Sequence, residues 1–489
     1  MTLAIILLSA TGVVGFKDAH KITSWDAWGD HLPRPAVTNI LQKERKSVTW
    51  AKLNALDPGL REIGRLRTRT SAEIKDSPFS IGCETMDRDY AEWDNFKALV
   101  PMLGVKHARF FSGWAKTEQE KGVYDFAWLD RQVRECAAMG VKPWICISYG
   151  NPVWGSDFRL GMRVRQITGN PEAFEAWLRY AKALVERYKD IVDEWEVWNE
   201  PFRQAEEYAE LFYRTAKTVR EIQPTSKIFC TAAGMDADMS RSDYAVVLEK
   251  LKREDALDLA SYFSYHPYAA NPDTSYEVGN GQFGVQMAMP LRRFVKAYSP
   301  SFDIMQGESG CPSQLEFEHA LNGIEWTEYS QAKWNLRRAI GDAVRGIRSC
   351  CFTMIDLQYT FMLQSFGLVR SNTLKQFVYR RPSWYAMRNV YSILDCEAKP
   401  VSVDVNDGIT CATFSRGKSS FRFFWLSMAR PSNDLAFRRM KAPDDVSGSV
   451  WIEMITGRVF SLEGAADIPL WDSPVLLARR ADVEVESIR

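Results

Sequence analysis

The sequence predicts an α/β chain, a (β/α)8 barrel followed by a small C-terminal β-sandwich. Three observations carry this reading. Between residues 79 and 394, eight short apolar runs alternate with amphipathic helical stretches. The runs lack strict polar–apolar alternation, as expected of parallel strands covered on both faces. After Leu394 the texture changes to strand-like runs separated by turn residues. Eight strand–helix units in about 300 residues are what a (β/α)8 barrel requires, although a doubly wound open sheet has the same local pattern.

Residues 1–78 come first, as an N-terminal extension expected to pack on the barrel or the sandwich. Within them, residues 3–15 (LAIILLSATGVVG) have the length of a signal-peptide core. The first basic residue is only Lys17 and no clear Ala-x-Ala follows, which favours an N-terminal strand and, with it, a cytoplasmic over a secreted protein. The basic run 61–69 (REIGRLRTR) reads as a solvated strand or helix face.

The barrel is expected over 79–395. Its candidate strands are residues 79–84, 107–112, 142–148, 194–199, 227–233, 260–266, 302–308 and 349–356. The clearest helix is 171–188, where Phe174, Trp177, Leu178, Ala181, Leu184, Val185 and Tyr188 recur every three or four residues. Asn170 supplies its cap and Pro171 a first-turn proline. A second helix, 326–347, places Trp334, Ala339, Ile340, Ala343 and Val344 on one stripe. The sandwich is expected over 396–489, with strands at 401–405, 409–415, 421–426, 450–454 and 474–478. Its Trp425, Trp451 and Trp471 could display a sugar platform, but structural packing against the barrel is the favoured reading.

Composition narrows the function. The 489 residues are 46% hydrophobic and 25% charged, enough apolar mass for a large core. Lys+Arg and Asp+Glu both number 62, so the basic excess of a nucleic-acid binder is missing. No run reaches the roughly 18 apolar residues of a membrane span. Nine cysteines lack framework spacing, and Cys350 and Cys351 are adjacent, so they read as buried thiols. The histidines (His20, His31, His107, His266, His319) form no His-Glu-x-x-His, and no paired Cys-x-x-Cys accompanies them, so no metal site is expected. Gly-x-Gly-x-x-Gly after a strand and the phosphate loop ending in Gly-Lys-Ser/Thr are both missing.

The decisive segment is residues 195–201, WEVWNEP, at the end of the fourth predicted strand. A second strand-end glutamate lies in 302–310 (FDIMQGESG), with Glu308 placed 108 residues after Glu200. This pairing resembles the clan A retaining glycoside hydrolases, (β/α)8 barrels whose two catalytic glutamates end strands 4 and 7. Over residues 78–395, spacing and wording are most similar to the β-xylosidase-like members of family 39. Retention needs two carboxyls about 5–5.5 Å apart, one protonated to meet the leaving oxygen and one ionised to attack the anomeric carbon. Mutual repulsion and partial burial raise the pKa of one of them and separate the roles.

The resemblance implies Glu200 as general acid/base and Glu308 as nucleophile, with no cofactor or metal. It further implies that Asn199 contacts the sugar 2-hydroxyl and that Arg109, in KHARFF, hydrogen-bonds the nucleophile. His266 and Tyr268, in SYHPY, match a His-x-Tyr whose histidine lines the sugar pocket and whose tyrosine touches the nucleophile. Residues 113–130 offer Trp114 as a sugar platform, with Glu118 structural. Tyr149, Asn151 and Trp154, in SYGNPVW, would border the subsite beyond the acid/base. Glu194 and Glu196 lie too deep on strand 4 and read as structural. One departure is visible: many clan members end strand 8 on a Trp that floors the first subsite, whereas this chain reads CCFTMIDLQ. Phe352, Asp356, Gln358, Trp326 and Trp334 are the candidates for that floor. The expected activity is retaining hydrolysis of β-glycosidic bonds in a carbohydrate substrate. A transglycosylase and a catalytically inactive carbohydrate-binding protein are the alternatives on the same fold.

Overall fold

The computed structural model describes residues 50–487, except 51, 54, 158–162, 233, 278–286 and 443–447. Residues 3–15, read above as a strand or signal core, lie outside the described residues. Among those described, eight parallel strands close a barrel: Phe79–Gly82, His107–Phe111, Lys142–Ile147, Glu194–Val197, Lys227–Thr231, Tyr262–Tyr265, Asp303–Ser309 and Arg348–Cys351. Closure, seen in the pairing of Phe79–Gly82 with Arg348–Cys351, excludes the open doubly wound alternative.

The strands can be short because each is buried on both faces, and their interior is packed rather than hollow. Trp144, Phe229, Met305 and Cys350 fill it. Below them, Glu194 receives two hydrogen bonds from Arg348, at 2.8 and 2.7 Å, which tie the fourth strand to the eighth. Burial works against the Glu194 carboxylate, but the charges of Arg348, His107 and Lys227 outweigh it and lower its pKa to about 2. With this end plugged and clamped, the carboxyl ends of the strands are left to carry a site.

The helices follow the sequence signals closely at their starts. Pro171–Tyr188 begins where the Asn170 side chain accepts from the backbone N–H groups of Glu172 and Ala173. The helix expected over 326–347 runs Glu328–Ala343, started by a capping box between Thr327 and Ser330. Its surroundings differ from the expectation of a single apolar stripe. Gln331, Lys333, Asn335, Arg337 and Arg338 are buried along with the apolar residues. The helix lies between the barrel and the C-terminal strands, so its polar face is covered too. Lys333 donates to Asp472 at 2.7 Å and to the Asp434 carbonyl at 2.7 Å. Arg337 reaches Asp273 and the carbonyl of Ala429.

The eighth strand ends earlier than the predicted 349–356. Its ladder with Asp303–Ser309 stops at Ser309↔Cys351 after a register irregularity. The chain then leaves the sheet for a short hairpin, Leu357–Gln358 with Leu363–Gln364.

The strands after Leu394 form an antiparallel sheet of eight, which also takes in Arg61–Leu66 from before the barrel. That basic run pairs on one side with Arg458–Ser461 and on the other with Val485–Glu486. A second ladder, Phe437–Lys441 with Asp467–Trp471, completes the sandwich. Trp451 and Trp471 meet edge to face at 4.9 Å in its core, and the Trp425 indole donates to Asp273 of the barrel. All three are buried, so none displays a sugar platform. The nine cysteines all lie among the described residues, unbridged, and seven are buried. Among the described residues no helix is long and apolar enough to cross a membrane.

The Lys333–Asp472 pair sets a test of the junction. Lys333→Ala strands a buried carboxylate without its cation and is expected to cost about 3–5 kcal/mol, read as a lower denaturant midpoint at neutral pH.

Candidate active site

A cavity of about 250 Å³ opens at the carboxyl ends of the barrel strands. The fourth strand delivers Asn199 and Glu200 to it through an unusual turn. Trp198 and Glu200 have φ of 64° and 50°, left-handed values that side-chain-bearing residues rarely adopt. Glu308 is carried inside the seventh strand, on rigid backbone. Carboxylate oxygens of Glu200 and Glu308 come within 4.8 Å of each other.

The two carboxyls are held differently. Glu308 is buried and accepts from Arg109 Nη1 at 2.6 Å and from the Tyr268 hydroxyl at 2.8 Å. Burial pushes its pKa up. The charges of His266 and Arg109, with the two hydrogen bonds, more than offset this and bring it below the ordinary range. Glu200 keeps 24% of its side chain exposed and faces His266, whose Nδ1 lies 2.9 Å from Glu200 Oε1. Burial disfavours a charged His266, but Glu308 and the hydrogen bond to Glu200 prevail and raise its pKa. One atom each of Glu200, His266 and Glu308 would be close enough to share a metal ion. These atoms already face one another or Arg109 and Tyr268, however, an arrangement of paired acids rather than an open ligand set.

Arg109 organises the floor. From the second strand its guanidinium reaches Glu308, Glu84 at 3.2 Å and Glu196 at 2.7 Å, and donates to Asn199 Oδ1 at 2.7 Å. Asn199 in turn donates to the Tyr149 hydroxyl at 2.9 Å. Its amide orientation is therefore fixed from both ends. Glu196, read as structural, accepts from Arg109 and from Thr231 below the cavity.

The sequence-derived residues divide in two. Glu200, Glu308, Asn199, Tyr149 and Tyr268 line the cavity, while Arg109 and His266 bond to residues that do. Trp114, Asn151 and Trp154 are not brought to it. Trp114 is fully buried, stacked on Tyr180 with its indole donating to Glu118 at 2.5 Å. Trp154 also donates to Glu118, and Asn151 caps the turn Pro152–Trp154 while bonding the Glu118 carbonyl. The three build the loop around Glu118 instead of lining the pocket. Of the candidates for the missing Trp on strand 8, Phe352 lines the cavity. Asp356 is bonded to Arg381, Trp334 to the Ala269 carbonyl and Trp326 to the Leu321 carbonyl.

The structure adds lining residues that sequence reasoning passed over, above all Glu84 and Arg88 beyond the first strand and Tyr359 and Gln364 on the hairpin. Glu84 closes the predicted strand 79–84, so the strand-end rule that selected Glu200 and Glu308 applies to it as well. The hairpin residues carry no such signal.

No family model matches the chain. Among solved structures, it is similar to a family 39 glycoside hydrolase from the gut symbiont Bacteroides cellulosilyticus WH2. The TM-score is 0.64 at 20% identity, covering 83% of this chain and 81% of that one. It is also similar to a GH30 endoxylanase from Clostridium papyrosolvens C71, with TM-score 0.53 at 10% identity over 86% of this chain and 97% of that one. A GH39 β-xylosidase from Caulobacter crescentus gives TM-score 0.50 at 17% identity, again over 86% and 97%. The chain therefore has the barrel-plus-sandwich fold of these glycoside hydrolases.

Removing the central cation should be costly. Arg109→Met leaves Glu196 and Glu308 buried without their partner and is expected to destabilise the fold by about 3–5 kcal/mol, measured by urea unfolding at neutral pH.

Proposed function

We propose that the protein is a retaining glycoside hydrolase that cleaves β-glycosidic bonds by double displacement. The observation that carries this reading is the pair of carboxyls within 4.8 Å at one rim, one clamped by a cation and a hydroxyl, the other left partly exposed. That separation suits direct attack by one carboxylate and leaves no space for a water between them. The fold shared with a GH39 β-xylosidase supports the β-linked substrate.

In the first step an oxygen of Glu308 attacks the anomeric carbon as the bond to the leaving oxygen breaks. Glu200 gives its proton to that oxygen. In the second step Glu200, now a carboxylate, takes a proton from water, whose oxygen displaces Glu308 and releases the sugar with its original anomeric configuration. Arg109 and Tyr268 keep Glu308 ionised and correctly turned for attack. Asn199, held by Arg109 and Tyr149, presents an amide to the sugar 2-hydroxyl, where a hydrogen bond strengthens as positive charge builds on the ring. Phe352 offers an apolar ring for the sugar's apolar face.

Glu308→Gln is expected to reduce turnover of nitrophenyl β-glycosides by at least about a thousand-fold. Glu200→Ala should hydrolyse substrates with activated leaving groups, and added azide should speed it and yield the β-glycosyl azide. Proton NMR of the first-formed wild-type product should show retained configuration. Inverted product, or full activity in either variant, overturns the assignment.

A further inference from the structure

We propose that Arg88, Gln364 and Tyr359 form a donor wall of the cavity that holds an anionic substituent of the sugar, a carboxylate or a sulfate ester. This rests on the glycosidase reading and deepens it, because it names the substrate class as an acidic glycoside.

The wall begins where the chain leaves the first strand. The Thr85 carbonyl accepts from the N–H groups of Arg88 and Tyr90, both at 3.1 Å, so the chain doubles back at once. Thr85 and Asp89 take left-handed φ values of 70° and 59° to close this turn. It brings the Arg88 side chain to the cavity. The guanidinium carbon lies 5.0, 5.2 and 5.4 Å from the ring centroids of Tyr149, Tyr90 and Phe111. Ring faces attract the charge, but they do not take up the five N–H donors of the fork.

Protein acceptors are scarce as well. Among the described residues Asp87 alone accepts from the Arg88 side chain, and it meets Nε, at 3.3–3.4 Å. Both Nη groups are left open, although the side chain is only 8% exposed. The carboxylates deeper in the cavity have their own partners, Glu308 in Arg109 and Tyr268 and Glu200 in His266. A cation so enclosed is costly while its donors go unmet, and the side on which they can be met is the cavity.

The hairpin supplies the rest of the wall. The Tyr90 carbonyl accepts from the backbone N–H of Gln358 at 2.8 Å, and the Tyr359 ring packs on that of Tyr90 at 4.3 Å. Hairpin and turn are thereby fastened together. Gln364 lines the cavity at 4% exposure with its Oε1 buried and unpartnered, which leaves Nε2 as the end of the amide that faces the ligand. Tyr359 adds a hydroxyl to the lining. The polar atoms offered here are two Nη groups, an amide nitrogen and a phenol. Sugar hydroxyls must donate as well as accept, and this wall gives them little to donate to. A carboxylate or sulfate only accepts, and its paired oxygens match the fork of a guanidinium.

The experiment compares 4-nitrophenyl β-glucuronide and 4-nitrophenyl β-glucoside 6-sulfate with the neutral β-glucoside and β-xyloside, using the full chain. At least one acidic glycoside is expected to exceed both neutral ones about ten-fold or more in kcat/KM, carried mainly by KM. Which acid leads separates uronate from sulfate. Arg88→Gln keeps N–H donors without charge and should reduce that preference to near unity, whereas Arg88→Lys keeps the charge and should retain part of it. A wild type that prefers the neutral glycosides, or a preference unchanged in Arg88→Gln, overturns the proposal. Calorimetry with phenyl 1-thio-β-glucuronide and phenyl 1-thio-β-glucoside reads the wall without turnover. Tighter binding of the acid that is lost in Arg88→Gln supports the wall even if every glycoside resists hydrolysis, a result that sinks the glycosidase reading alone. Equal binding of the two thioglycosides and of a 6-sulfated one overturns the wall.

Discussion

The site depends on one side chain, Arg109, buried on the second barrel strand. It is the cation around which Glu84, Glu196, Glu308 and Asn199 are arranged. A guanidinium suits this place because its rigid fork addresses several planar groups at fixed angles and keeps its charge at any working pH. Burying it among carboxyls is tolerable only if each donor finds an acceptor, and that condition fixes the side chains of four strands relative to one another. The same contacts that satisfy Arg109 therefore aim Glu308 and Asn199 at the cavity. Structural and chemical demands fall on the same atoms.

Much of this arrangement was legible in the sequence. Parallel strands buried on both faces announce themselves by short apolar runs, and helix starts by their caps, as Asn170 and Thr327 show. Glu200 and Glu308 stood out because the wording and spacing of their two strand-end motifs resemble those of a known glycoside hydrolase clan, and the folded chain brings both to one cavity. Trp114 and Trp154 misled for a physical reason. An aromatic residue in a loop can face solvent, ligand or core, and Glu118 draws both indoles inward by accepting their N–H groups. Only the folded chain reveals that Glu118 lies between them. The strand-8 rim was equally closed to sequence reading, because the strand ends at Cys351 and the residues beyond it take their places from a hairpin.

The helix Glu328–Ala343 teaches a related lesson. Its polar residues would place one face in solvent by periodicity alone, yet Lys333, Arg337 and Arg338 are buried. A helix enclosed between two units needs hydrogen-bonding residues wherever the second unit presents backbone carbonyls, and a one-dimensional pattern does not distinguish those carbonyls from water.

The strand Arg61–Leu66 has a consequence for how the molecule is made. It precedes the barrel, yet its ladder partner Arg458–Ser461 emerges from the ribosome 400 residues later, Arg61 pairing with Ser461. During synthesis this strand must wait with an open edge while the whole barrel is translated, and the sheet closes only when the final strands arrive. The two units thus share an order of assembly, in which the sheet is completed after the barrel and takes in the strand Arg61–Leu66 that precedes it.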